Sequence, residues 1–405
     1  TTLATAVVAD LNFIDYYYTA VQIHEDSWRN DLKSIQQQIL KDVFPAYTND
    51  GNLILRNCAE GRDHLTAAFK AQGNKSVFIF IDNVLRKEDL QEIFPKSLRG
   101  LPGGSRIIVT ARNLRETDIL KQAGLARREH LVDTLPEKEA IQVVFKDANL
   151  DEIKERKRDI VHKTLQICNG IPLVLEIVGA SLRKQNYEVE KCTQIFEALE
   201  TGKDIKEEKL SQRLVTSVYN ELESSTQEAF LDICCFFVNW SRQDVEYIVG
   251  SEELTLLKEA ALVKTSEKDQ LIVHDIIRIK GMSMGKSNRI MDMQSWSEAA
   301  NDNQKLSKIK GVWLTADESG SGCELEEQHL VSMKSSLRVL GLGSQIKIKG
   351  LTVKKSKFRE LRFLHLGGDI SGLGPLNLES LERLAVFYGP VFKDGVTLYK
   401  IRLHF

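Results

Sequence analysis

The sequence runs to 405 residues, 42% hydrophobic and 28% charged, with a net charge of -2. That length exceeds what one hydrophobic core serves and predicts several domains of ordinary soluble composition. Interspersed acids and bases exclude nucleic acid or an anionic membrane as a partner drawn by whole-chain charge, and no apolar run reaches the ~18 residues of a membrane span.

The six cysteines, Cys58, Cys168, Cys192, Cys234, Cys235 and Cys323, show no C-x-x-C spacing. They point to a reducing compartment, cytoplasmic or nuclear, rather than to a disulfide framework or a zinc site. The N-terminus has no secretory pattern. Thr1 opens directly into an apolar helical pattern of Leu3, Ala6, Val7 and Leu11, so the chain is expected to begin partway through a longer protein.

From Thr1 to about Val132, helical and strand patterns alternate. Val77-Phe-Ile-Phe-Ile81 is an unbroken apolar run ending at Asp82, and Arg106-Ile-Ile-Val-Thr110 is a second, introduced by Pro102-Gly-Gly-Ser105. Short continuous runs between helices predict strands covered on both faces, hence a parallel sheet. From Thr134 to about Arg289 the pattern turns helical. Thr134-Leu-Pro-Glu137 and Ser225-Thr-Gln-Glu228 have capping-box spacing and predict helix starts. Phe230, Ile233, Cys234 and Phe237 recur at i, i+3, i+4 and i+7, one face of a helix. Ala261–Thr265 and Leu271–Val273 read as a small hairpin followed by a helix from Asp275, the outline of a winged helix.

The last hundred residues change period. Leu337-Arg-Val-Leu340-Gly-Leu342, Leu361-Arg-Phe-Leu364-His-Leu366 and Leu381-Glu-Arg-Leu384-Ala-Val386 share the frame L-x-x-L-x-L, with leading leucines 24 and then 20 residues apart. That spacing predicts leucine-rich repeats, with Trp313-Leu314 in an atypical capping unit.

Three sites invite chemistry. Asp82 ends an apolar strand, where open α/β sheets bind ligands and where P-loop proteins keep a Mg²⁺-orienting acid; the plain alternative is a cap for the helix after Val84. Arg112 follows the second strand and could meet a phosphate bidentately, or it is a solvated surface arginine. His274 precedes Asp275, which reads as a helix N-cap. Gly281-Met-Ser-Met-Gly-Lys-Ser287 falls one residue short of G-x-x-x-x-G-K-[ST] and follows no strand, so it reads as a helix C-terminus rather than a phosphate loop.

In order along the chain, these pieces resemble one family. Thr1-Thr-Leu-Ala4 looks like the end of GKTTLA, and Val77 to Val84 resembles the Walker-B strand. Gly104 to Arg112 is similar to GSRIIVTTR, and Cys168-Asn-Gly-Ile-Pro172-Leu-Val-Leu175 to CxGLPLAL. Phe230 to Phe237 looks like FLDIACFF, and Val273-His-Asp275 like MHD. Together they resemble the NB-ARC module of plant NB-ARC-LRR disease resistance proteins, of the branch with an N-terminal TIR domain.

The resemblance implies a multidomain α/β plus α fold: a P-loop-type parallel-sheet nucleotide-binding domain over 1–132, a helical domain over 133–205, a winged-helix domain over 206–292 and leucine-rich repeats over 305–405. It implies ADP and ATP as nucleotides with Mg²⁺. It gives Thr1 and, through water, Asp82 to the metal, with Thr2 beside them. Arg112 goes to the terminal phosphate, Pro172 to adenine and His274 to the ADP β-phosphate. Its implied partners are a pathogen effector or guarded host protein, and further copies of itself on activation; any NADase activity would lie in an upstream TIR domain. Asn83 stands where the family has a second acid, so hydrolysis is expected to be slow or absent. A phosphate loop cut at Thr1 implies weak nucleotide binding by residues 1–405 alone. Competing readings are a degenerate adaptor or decoy, a stand-alone P-loop ATPase, and a DNA-binding winged helix using Arg278, Lys280, Lys286 and Arg289.

Overall fold

A computed structural model describes residues 2–10, 16–23, 32–48, 53–71, 76–96, 98, 101, 103–111, 114–126, 128–146, 158–188, 196, 207–315, 324–343, 346–349, 358–366, 383–388 and 399–404. The chain divides into two compact units, Thr1–Val132 and Asp133–Phe405.

The first unit is built on three parallel strands, β1 (Tyr16–Gln22), β2 (Ser76–Val84) and β3 (Arg106–Ala111), in the order β1-β2-β3. The apolar run in β2 is continuous because both of its faces are covered, and its side chains alternate between two cores. Val77, Ile79 and Ile81 join the cluster formed with helices α2 (Leu32–Val43), α3 (Cys58–Ala71) and α4 (Lys87–Ile93). Phe78 and Phe80 point the other way and meet Val8 of helix α1 (Thr2–Asp10). β1 had no part in the sequence reading. Its Tyr-Tyr-Tyr-Thr-Ala-Val-Gln stretch is rich in strand formers, but it lacks the long apolar run that marks β2.

In the second unit the two capping boxes do not form. The Glu137–Val144 helix starts after Pro136, and the Ser224–Asp232 helix after Glu223, each without a side-chain cap. Proline fills the first case, because its fixed φ suits a helix entry; in the second the start has moved one residue upstream of Ser225. The Ser224–Asp232 helix then widens into a π-helical turn over Ile233–Phe237, and every residue from Ala229 to Val238 is buried. A one-faced helix is therefore too modest a description of this element. A two-residue hairpin, β4 (Lys264–Thr265) with β5 (Leu271–Ile272), leads into the Asp275–Gly285 helix.

The sheet that follows has six strands in the order β13-β12-β11-β9-β7-β6. They are β6 (Arg289–Ile290), β7 (Gly311–Leu314), β9 (Val339–Leu342), β11 (Phe363–Leu366), β12 (Arg383–Tyr388) and β13 (Tyr399–His404). All neighbours pair parallel except β12 with β13. A small separate ladder joins β8 (Glu324–Glu326) to β10 (Lys347–Lys349). The strands β9, β11 and β12 fall on the three L-x-x-L-x-L frames.

The strand alternation gives this sheet two distinct faces. Val312, Leu314, Leu340, Leu342 and Leu364 enter one core with Trp296, Leu306, Leu337 and Leu361. The residues in the opposite phase, Trp313, Val339 and Phe363, belong instead to the core of the helical region, with Phe230, Phe236 and Phe237. There Trp313 stacks on Phe363 at 5.4 Å and 19°, and Trp240 meets both edge-on. Two glycines make room. A Cβ on Gly341 would lie 2.5 Å from Trp313, and one on Gly311 would lie 2.4 Å from Phe236.

Buried charge closes the same junction. Asp232, 1% exposed, accepts from Arg289 Nε at 2.9 Å and from Arg338 Nε at 2.9 Å. Arg289 also reaches Glu228 at 2.9 Å, and Lys310 reaches Glu228 at 2.8 Å. Burial opposes the charge of Arg289, but Asp232, Cys235 and Glu228 more than offset it and hold the guanidinium protonated.

Candidate functional site

At the carboxyl end of β2 the backbone makes an unusual turn. Asn83 takes φ of 63°, and the pairing with β3 shifts register between Ile81 and Val84. Asparagine tolerates the left-handed region because its short amide can bond locally. Here Asn83 Nδ2 donates to the Ile23 carbonyl at 3.0 Å, just beyond β1, while Ile23 N donates to the Asp82 carbonyl at 2.9 Å. The two strand ends are thereby tied together.

Asp82 is 5% exposed and held from the other side. Thr110 Oγ1 donates to Asp82 Oδ1 at 2.5 Å and accepts from Asn83 N at 2.8 Å. The chain of bonds, amide to hydroxyl to carboxylate, orients the acid at the sheet edge. It does not cap α4; in that helix Asp89 Oδ2 accepts from Arg86 N at 2.9 Å, so the capping alternative for Asp82 is set aside. Thr110 was missed as a site residue. Its signal was the parallel register, which pairs Ile81 with Val109 and so sets Thr110 beside Asp82.

Thr2, exposed, opens α1. Thr1 and Arg112 lie outside the described residues. In the second unit Pro172 is the exposed first residue of the Pro172–Lys184 helix. His274 is the N-cap of the Asp275–Gly285 helix, its Nδ1 accepting from Ile276 N at 3.3 Å. This corrects the assignment of the cap to Asp275, which instead occupies the first helical turn, where an acid meets the positive end of the helix dipole. The cap also selects a tautomer. An Nδ1 that accepts leaves the proton of the neutral ring on Nε2. Glu176 of the Pro172–Lys184 helix pairs with Lys264 of β4 at 2.5 Å, and β4 is hydrogen-bonded to β5, the strand that leads toward His274.

Two of the four cations weighed for a DNA-binding face are internal. Arg278 is 3% exposed and donates to the Cys234 carbonyl, and Arg289 is enclosed in the network above. A buried arginine neutralises no phosphate, so of the four only Lys280 and Lys286 remain for such a face. The glycines of 281–287 serve packing: Gly281 lies against Cys234 and Phe230, and Gly285 against Arg289 and Cys235.

No family model matches the chain. Individual relatives do. TMV resistance protein N of Nicotiana glutinosa is 24% identical over 332 residues, covering 78% of this chain and 27% of its own length. Disease resistance protein RPP2B of Arabidopsis thaliana is 27% identical over 308 residues, covering 72% and 23%. Disease resistance protein RUN1 of Vitis rotundifolia is 23% identical over 323 residues, covering 77% and 23%. The chain is similar to plant disease resistance proteins over about three quarters of its length.

As a resistance-protein relative it spans about a quarter of the length of the curated proteins it matches. Among solved structures, the Signal Transduction ATPase with Numerous Domains protein with a tetratricopeptide repeat sensor from Pyrococcus horikoshii is 13% identical. It covers 76% of this chain and 42% of that one, at a TM-score of 0.41.

Proposed function

We propose that this resistance-protein relative is an adenine-nucleotide switch in plant defence, resting with ADP and activated by exchange for ATP. The observation that carries the reading is Asp82, a buried carboxylate oriented by Thr110 at the carboxyl edge of a parallel sheet. Its donor chemistry fits Mg²⁺, a hard cation that takes oxygen ligands. Asp82 would hold the metal through water, with Thr1 as the hydroxyl named by the resemblance and Thr2 beside it. Bound there, Mg²⁺ supplies neutralisation of phosphate charge. Arg112 would meet the terminal phosphate of ATP. In the second unit, the resemblance gives Pro172 the adenine. It gives His274 the diphosphate, for which the ring offers an Nε2 proton because Nδ1 is occupied as a cap.

A second reading, an adaptor or decoy that binds nucleotide without hydrolysing it, is favoured by Asn83. Its amide faces the Ile23 carbonyl and accepts no proton from water at neutral pH. Recognition of a pathogen effector or guarded host protein, and self-association on activation, belong to the same proposal.

The test is the adenine nucleotide that co-purifies with the intact protein expressed in leaves. Charge-assisted contacts contribute about 1.5–3 kcal/mol each, so Asp82→Ala should lower occupancy at least about tenfold. His274→Ala should signal without a trigger. Unchanged ADP content in Asp82→Ala, with silent His274→Ala, would overturn the switch.

A further inference from the structure

His365 sits in β11 on the aromatic face of the repeat sheet, 1% exposed. Its ring lies flat on Trp313, 5.6 Å between centroids at 5°. Trp313 in turn stacks on Phe363 and lies 6.3 Å from Phe236 of the π-helical turn. Among the described residues, neither ring nitrogen of His365 has a hydrogen-bond partner. A buried polar ring without partners is costly in itself, and most buried histidines are satisfied. This one is placed in the packing that joins the helical region to the repeat strands.

We propose that His365 makes this junction acid-labile: a proton on its ring forces the repeat strands away from the Phe236–Trp240 segment. The neutral ring is tolerated as a flat aromatic. The protonated ring is a full charge with two N–H donors, for which the described residues offer no hydrogen-bond partner, and buried charge without a counter-ion is strongly unfavourable. Stacking on Trp313 returns part of that as a cation–π contact, but only about 2 kcal/mol even when desolvated.

Charged groups on the packing elements are engaged elsewhere. Asp232 holds Arg289 and Arg338, and Arg242 on the Arg242–Val249 helix is paired with Glu246 and Asp269. That helix also carries Asp244. Arg338, which precedes β9, and Arg362, which precedes β11, are cations that would repel an imidazolium; the side chains of β12, Arg383 included, lie outside the described residues.

Burial alone pushes the His365 ring down to about 4, from the ordinary 6.5. The unfolded or undocked ring therefore takes up the proton first as pH falls. The stabilisation is complete above about 6.5, and is lost progressively as pH falls from 6.5 toward 4.

The experiment follows hydrogen exchange of the 233–240 and 363–366 amides in the full chain from pH 7.5 to 4.5, corrected for intrinsic exchange. It compares wild type with His365→Phe and His365→Gln, which keep a flat or polar side chain but do not titrate. Wild type should lose protection roughly tenfold per pH unit below about 6.5, and both variants should lose that dependence. If the variants keep the wild-type acid slope, titration at Glu228 or another histidine is responsible and the proposal fails. Should one variant not fold, the other decides by the same criterion.

Discussion

Replacing Asp232 with alanine tests the charge network that ties the helical region to the six-stranded sheet. In the wild type the carboxylate is 1% exposed and receives two guanidinium groups, Arg289 at 2.7 Å and Arg338 at 2.9 Å. Its loss leaves Arg289, whose side chain is fully enclosed, with Glu228 as its remaining acid. Removing one partner of a buried ion pair costs about 3–5 kcal/mol because the other charge is left uncompensated. At 1.4 kcal/mol per factor of ten, amides of β6, β7 and β9 should exchange roughly a hundred- to several thousandfold faster. Arg338→Met is the internal comparison. Its side chain is 16% exposed, and Asp232 keeps Arg289, so the change should be far smaller. A less than fivefold effect of Asp232→Ala would show that the network contributes no more than surface pairs do, and would refute the reasoning.

Gly341→Ala drives a methyl to within 2.5 Å of Trp313; overpacking of that kind costs about 1–3 kcal/mol, readable as a lower melting temperature and as a change in tryptophan emission. Asn83→Asp places a carboxylate against the Ile23 carbonyl in place of a 3.0 Å donor; it should lower stability by about 1–3 kcal/mol, and a variant that melts with the wild type would contradict the structural role assigned to Asn83.

The parallel sheet was legible in the sequence because a strand covered on both faces carries a continuous apolar run, as β2 does from Val77 to Ile81. The strands β9 and β11 were legible because the frames around Leu340 and Leu364 set those leucines in one phase, and both enter the same core. The capping boxes misled because spacing alone does not decide which residue enters the helix: Pro136 and Glu223 took the boundary positions. Arg278 and Arg289 looked like surface charge, since a one-dimensional reading cannot see that Asp232, 57 residues before Arg289, lies against it. Thr110 went unnoticed for a related reason. Its importance arises from strand register, which exists only once β2 and β3 are paired.

The glycine-and-aromatic face also bears on how such proteins can be recombined. Trp313, Gly341 and Phe363 are shaped to Phe236, Phe237 and Trp240, although more than seventy residues separate the two groups. A chimaera joined near residue 292, where the sequence changes character, would graft foreign strands onto an aromatic surface cut for these ones. A junction placed beyond Leu366 keeps both halves of the fit in a single parent and leaves the later strands exchangeable.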